Sequence, residues 1–200
     1  MEQRDQILED LQYMKQIIND SRKIVVDKGI GFIVWGILII IGLAGSYIDT
    51  VMSGRQYSGE LWVVLIAGGW IYTVFGWSRH KDRKKTVTFA EKIVGAVWFS
   101  AGITMTILGF VGVNSGAFHS VFVSPVLACV LGAAFFVSAL IYNNTLMKYL
   151  APIWWLGSIF MFFFPGVQTI IIMAGLMLFL QVVPGIILYK KFKAENRQIG

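Results

Sequence analysis

The charged residues of this chain leave four long uncharged gaps. Lys28 and Asp49 enclose 20 uncharged residues, Glu60 and Arg79 enclose 18, Lys92 and Lys148 enclose 55, and Lys148 and Lys190 enclose 41. About 20 helical residues cross a hydrocarbon layer of ~30 Å. An unpaired charge at the centre of that layer costs at least about 2.5–3.5 kcal/mol on insertion scales. The two shorter gaps each suit one membrane span, and the two longer gaps each suit two spans with a turn. Asn114-Ser115-Gly116 interrupts the first long gap and Pro165-Gly166 the second, both clusters of turn-forming residues. The expected spans are therefore 29–48, 61–78, 93–113, 118–142, 149–165 and 168–189.

Composition excludes the soluble alternative. Of 200 residues, 56% are hydrophobic and 14% charged, against roughly 25% charged in an ordinary soluble domain. The sequence thus predicts an all-α integral membrane protein with six transmembrane helices. Residues 1–28 form a polar N-terminal segment, 29–189 the bundle and 190–200 a basic tail. Mixed charge in residues 1–28 is unlike the basic leader and short apolar core of a cleaved signal peptide, so the first span is expected to be retained. The net charge of +6 does not imply a nucleic-acid partner, because that reading needs a basic patch on a folded soluble face.

The seventeen lysines and arginines orient the spans. Arg4, Lys15, Arg22, Lys23 and Lys28 precede the first span; Arg79, Lys81, Arg83, Lys84, Lys85 and Lys92 lie between the second and third. Lys148 falls between the fourth and fifth, and Lys190, Lys191, Lys193 and Arg197 follow the sixth. Only Arg55 falls on the other side. Because such residues stay preferentially in the cytoplasm, a split of sixteen to one places both termini there and requires an even number of spans. Trp77, Tyr142, Tyr149 and Tyr189 at the expected cytoplasmic ends, and Tyr47, Tyr57 and Trp62 near the outer ends, suit interfacial belts.

A threefold pattern runs through the spans. Lys28 precedes Trp35, Lys92 precedes Trp98 and Lys148 precedes Trp154 at spacings of seven, six and six. Gly69 follows Trp35 by thirty-four residues, Gly132 follows Trp98 by thirty-four, and Gly175 follows Trp154 by twenty-one. Either three helical hairpins repeat about an axis along the membrane normal, or the pattern reflects aromatic belts and ordinary glycine enrichment. Small residues at four-residue spacing, Ala96 with Ser100, Ala128 with Gly132 and Ala134 with Ser138, permit close helix approach. They suit the internal seam of one bundle or an oligomer interface.

Residues that carry chemistry are scarce in the spans. His119 is the one ionisable residue there and sits at the outer end of the fourth span; His80 lies in the basic loop. Two histidines on opposite sides of the membrane cannot share a metal. Cys129, the single cysteine, allows no intramolecular disulfide and is expected to be a buried small hydrophobe. No catalytic, cofactor-binding or metal-ligating set is expected. The distinctive polar feature is Gln181 with Pro184 in the sixth span. Proline cannot donate to the carbonyl of Leu180, so the helix is expected to kink beside a polar side chain that needs a partner. Ser124-Pro125 repeats the arrangement in the fourth span. These four residues mark a solute pathway or local kinks satisfied by neighbouring helices.

Before the first span, Ile7, Leu11, Met14 and Ile18 recur at helical spacing and predict an amphipathic helix. Through residue 20 the acids Glu2, Asp5, Glu9, Asp10 and Asp20 outnumber Arg4 and Lys15, which argues against adhesion to anionic lipid. Such a helix packs on the basic loop 79–85, pairs with another copy, holds a partner protein, or caps its own bundle.

The run Leu8 through Gly36, LEDLQYMKQIINDSRKIVVDKGIGFIVWG, is similar to the opening of a group of small bacterial polytopic membrane proteins of uncharacterised function. There a short L-x-x-[IM]-K/R helix, here Leu11 to Lys15, and a serine precede a first span bearing glycine and tryptophan. The resemblance implies a bacterial inner-membrane location and transfers no functional residue. The expected function is a non-enzymatic one, a regulatory or scaffold subunit acting through protein contacts in the bilayer. The alternative is a channel or carrier for a small uncharged solute.

Overall fold

A computed structural model of the chain describes residues 29–54, 59–81, 89–117 and 119–198. Among these there is no strand, and the structure is 92% helical. Helices α1 (Ile30–Ser53), α2 (Gly59–Lys81) and α3 (Phe89–Thr106) come first, and α3 runs on into a π turn, Ile107–Gly112. A 3₁₀ turn, Ser120–Phe122, leads into α4 (Val123–Tyr142), followed by α5 (Thr145–Phe163). The last span is composite: α6 (Gln168–Met177), a π segment (Leu178–Val182) and α7 (Val183–Gln198) follow without a break. These make six helices long and apolar enough to cross a membrane. The amphipathic stripe Ile7, Leu11, Met14 and Ile18 lies outside the described residues.

Local chemistry sets the ends of these helices. α1 passes Asp49 and stops only at Gly54, whose φ of 68° breaks the helix while its N–H reaches Thr50 O at 3.2 Å, a glycine C-cap. Asn143 and Asn144 divide the labour at the α4–α5 turn. Asn143 takes the left-handed conformation, φ 49°, that ends α4, and the Asn144 side chain accepts from Met147 N–H at 3.3 Å to begin α5. Two residues thus fold α4 and α5 into a close hairpin.

Each helix touches the next in sequence, and the last span closes against the first. Trp35 of α1 donates to Thr73 of α2, Trp70 of α2 to Thr106 of α3, and Trp98 of α3 to Ser138 of α4, at 3.1, 3.2 and 3.0 Å. Trp155 of α5 donates to the Cys129 carbonyl of α4 at 3.2 Å. Leu176 of α6 lies over Gly157 of α5, and Gly185 of α7 packs against the backbone of Gly29 at the start of α1. The centre of this ring is aromatic. Phe135 stacks on Phe32 at 5.6 Å and on Trp154 at 6.1 Å, while Trp98 meets it edge-on at 5.2 Å. Met147, Met161, Met173 and Met177 fill the surrounding space, a use suited to their flexible chains.

Small residues fall on both sides of the bundle wall. Ala128, Gly132, Ala134 and Ser138 are buried in the α4 seam, whereas Ala96 and Ser100 of α3 are exposed. Cys129 is exposed rather than buried as expected. The buried face of α4 is built from Ser124, Ala128, Leu131 and Phe135, and one step beyond Ala128 puts the cysteine at the edge of that face, with its Sγ 3.1 Å from the buried Ser158 Oγ.

Candidate functional site

Span six carries the least ordinary backbone. Pro184 has no N–H, and the preceding segment winds as a π turn in which Val183 N–H reaches Leu178 O, five residues back. The backbone before the proline is thus a wider turn. Such an insertion leaves a carbonyl of the turn without its helical donor, and it packs Leu180, Gln181 and Val182 inward together. Gly36 of α1 makes room for this bulge. A Cβ there would stand 2.5 Å from Val182 Cγ2 and 3.6 Å from Gln181 Cγ. Gln181 is 4% exposed, and its Oε1 is buried without a hydrogen-bond partner.

Trp154, wholly buried in the middle of α5, has the same defect with the opposite sign. Its indole N–H finds no acceptor. An unmade hydrogen bond in a buried place costs about 1–3 kcal/mol, so two such atoms among the described residues call for a physical reason.

Among the described residues, the buried hydroxyls of Ser138, Ser158 and Thr169 donate to backbone carbonyls. Ser158 Oγ donates to Pro125 O at 2.7 Å, tying α5 to the N-terminal end of α4. Ser124 and Pro125 are buried in that seam. They stand at the second and third residues of α4, and Gln181 lies thirteen residues into the last span, roughly 20 Å along a helix axis. Of the four residues expected to mark a pathway or kinks, the structure thus gathers Gln181 with Pro184 in mid-span and Ser124 with Pro125 near one end. His119 is exposed and precedes the 3₁₀ turn. Among the described residues, no group of three His, Cys, Asp or Glu side chains is placed to hold a metal ion.

A recurring clasp was not anticipated from the sequence. Thr73 and Thr106 each accept an indole N–H from the neighbouring helix and donate back to the carbonyl four residues earlier, Gly69 O at 2.9 Å and Gly102 O at 2.8 Å. The Trp35 ring covers Gly69, with Cη2 2.7 Å from where a Cβ would stand, and Trp70 covers Gly102 at 3.3 Å. Trp62 repeats this on Gly42 and Ser46, its N–H 2.9 Å from Ser46 Oγ. Trp98 uses Ser138, which donates to Ala134 O at 2.7 Å. A small residue four places before Ser or Thr is the signal, since it opens space for the ring and sets the hydroxyl beneath its N–H. Of the three spacings in the threefold pattern, that from Trp35 to Gly69 is a contact. Gly132 instead lies under Trp155, and nothing lies within 4 Å of a Cβ on Gly175.

No family model, curated protein or solved structure matches the chain.

Proposed function

We propose that this chain is a six-span protein of the bacterial inner membrane that acts through protein contacts, as a regulatory or scaffold subunit, with both termini in the cytoplasm. The observation that carries the reading over a solute pathway is the filling of the bundle centre. Phe32, Phe135, Trp98 and Trp154 pack there ring against ring across four helices, and Ser138 and Ser158 close their hydrogen bonds within the protein. A carrier instead lines a path open to its solute with polar groups, whereas the two interior polar atoms without a partner, on Trp154 and Gln181, are both closed off from solvent. The sixteen-to-one distribution of basic residues supports the orientation. The hairpin arrangement belongs to the same proposal: each odd span enters from the cytoplasm and each even span returns.

The contact surface in this reading is the apolar stripe Ile7, Leu11, Met14 and Ile18 of the acidic amphipathic N-terminal helix, presented to a cytoplasmic partner or a second copy. The test replaces Leu11 and Met14 with Asp in the full chain. Loss of copurified partner or of self-association with unchanged thermal unfolding in detergent is the expected result. A fall in unfolding temperature with association unchanged makes the helix a cap on its own bundle and overturns the proposal.

A further inference from the structure

The two unpartnered interior atoms differ in kind: the Trp154 indole N–H is a donor and Gln181 Oε1 an acceptor. Contact between α5 and α6 sets their relative depth. Leu176 Cδ1 lies 2.6 Å from where a Cβ on Gly157 would stand, so these two residues are level in the antiparallel pair. Trp154 is three residues from Gly157, and Gln181 is five from Leu176 in the same direction along the bundle. At 1.5 Å per residue the two differ in depth by only about 3 Å. Helical side chains lean toward the N-terminus of their own helix. Trp154 therefore leans away from the α5–α6 turn and Gln181 toward it, which brings their levels closer still.

The lateral connection runs through the aromatic centre. Phe135 stacks on Trp154 and on Phe32, and Phe32 lies one turn before Gly36, the residue against which Gln181 Cγ packs. Both polar atoms thus border the same interior, and neither is bonded to the other or to any group of the protein. One hydroxyl group answers both needs, because its oxygen accepts from an indole N–H while its hydrogen is donated to an amide oxygen. The carbonyl deprived of a helical donor beside Pro184 offers a second hydrogen a place, as buried waters commonly make about three hydrogen bonds.

We propose that Trp154 and Gln181 together hold one small neutral hydroxyl compound, water or a short alcohol, inside the bundle. The site goes beyond the contact-mediated reading and does not depend on it. It is an enclosed site rather than a path, since both polar atoms are closed off from solvent.

The experiment uses the full chain in detergent micelles, with tryptophan indoles labelled with ¹⁵N and the Trp154 signal assigned by its loss in Trp154→Phe. Gln181→Met keeps the volume and removes the amide. The expected result is that this change shifts the Trp154 indole signal and lowers the unfolding temperature by about 3 °C or more, and that Trp154→Phe adds less than its own effect on top. Ethanol titration separates the two occupants: a saturable shift of the Trp154 signal, lost in Gln181→Met, identifies an alcohol site. Magnetisation transfer from water to that indole, without an ethanol response, identifies water. An unmoved Trp154 signal in Gln181→Met overturns the proposal, as does a raised unfolding temperature, which marks the amide as a burden without a ligand. Should Trp154→Phe fail to fold, the sign of the temperature change in Gln181→Met decides alone.

Discussion

The tryptophans of this chain are hydrogen-bonding residues as much as hydrophobic ones. In an apolar surrounding an indole N–H has few acceptors, and a Ser or Thr hydroxyl that already donates to its own helix still has lone pairs to offer. The arrangement therefore leaves no polar atom of the pair unsatisfied, and the small residue beneath the ring lets it lie flat on the neighbouring backbone. Interhelical bonds of this type contribute modestly, about 0.6–1.7 kcal/mol in double-mutant cycles of membrane proteins. A cycle of Trp98→Phe and Ser138→Ala should show coupling of about that size in thermal or denaturant unfolding in detergent; strict additivity would assign the stabilisation to ring packing alone. Trp154 is the counterexample that gives the rule its meaning. Its ring is packed against another aromatic ring as theirs are, yet no acceptor lies at its N–H.

Between elements, the seam of α1 against the last span depends on glycine. Gly29 has φ of 68°, and a Cβ on it would collide with the Gly185 carbonyl, while one on Gly36 would meet Val182 at 2.5 Å. Gly36→Val should force α1 from the π segment at a cost of about 1–3 kcal/mol, the usual range for overpacking, read as a lowered unfolding temperature. By contrast, Gly68→Ala in α2, where a Cβ meets nothing within 4 Å, should leave it unchanged or raise it, because alanine favours the helix by up to about 1 kcal/mol. Equal losses at the two positions would remove the seam from the account. These elements also mark how far the sequence could be read. Helix number follows from charge, since a charge interrupts an apolar run at a cost nothing local offsets. Helix ends do not, because Asp49 is tolerated inside the last turn of α1 and Gly54 makes the stop. Gln181 beside Pro184 stands out as a polar residue next to a missing donor, although the π turn that precedes the proline was not legible, because it needs the room left by Gly36 in another helix. Trp154 could not be singled out, because whether an indole finds an acceptor is decided by the helix opposite.

For the molecule as a whole, the unequal cover of its helices and the distribution of its charges are separate constraints. The last span is the most enclosed of the six and α2 the least, so that α2 shows apolar side chains such as Val63, Val64, Ile71 and Phe75 outward. Outward apolar side chains are costly in water and costless against acyl chains, which supports a bilayer as the surrounding medium. Orientation within that bilayer rests on charge alone. Arg55 follows α1 and is the single basic residue expected outside, whereas Lys81 to Lys92 and the tail from Lys190 are expected inside. Alkaline phosphatase, which is active only after export, should therefore be active when fused after Arg55 and silent when fused after Lys85 or at the C-terminus. Activity after Lys85 would mean that α2 does not return to the cytoplasm, and would overturn the six-span orientation together with the cytoplasmic placement of the amphipathic N-terminal stripe on which the contact reading rests.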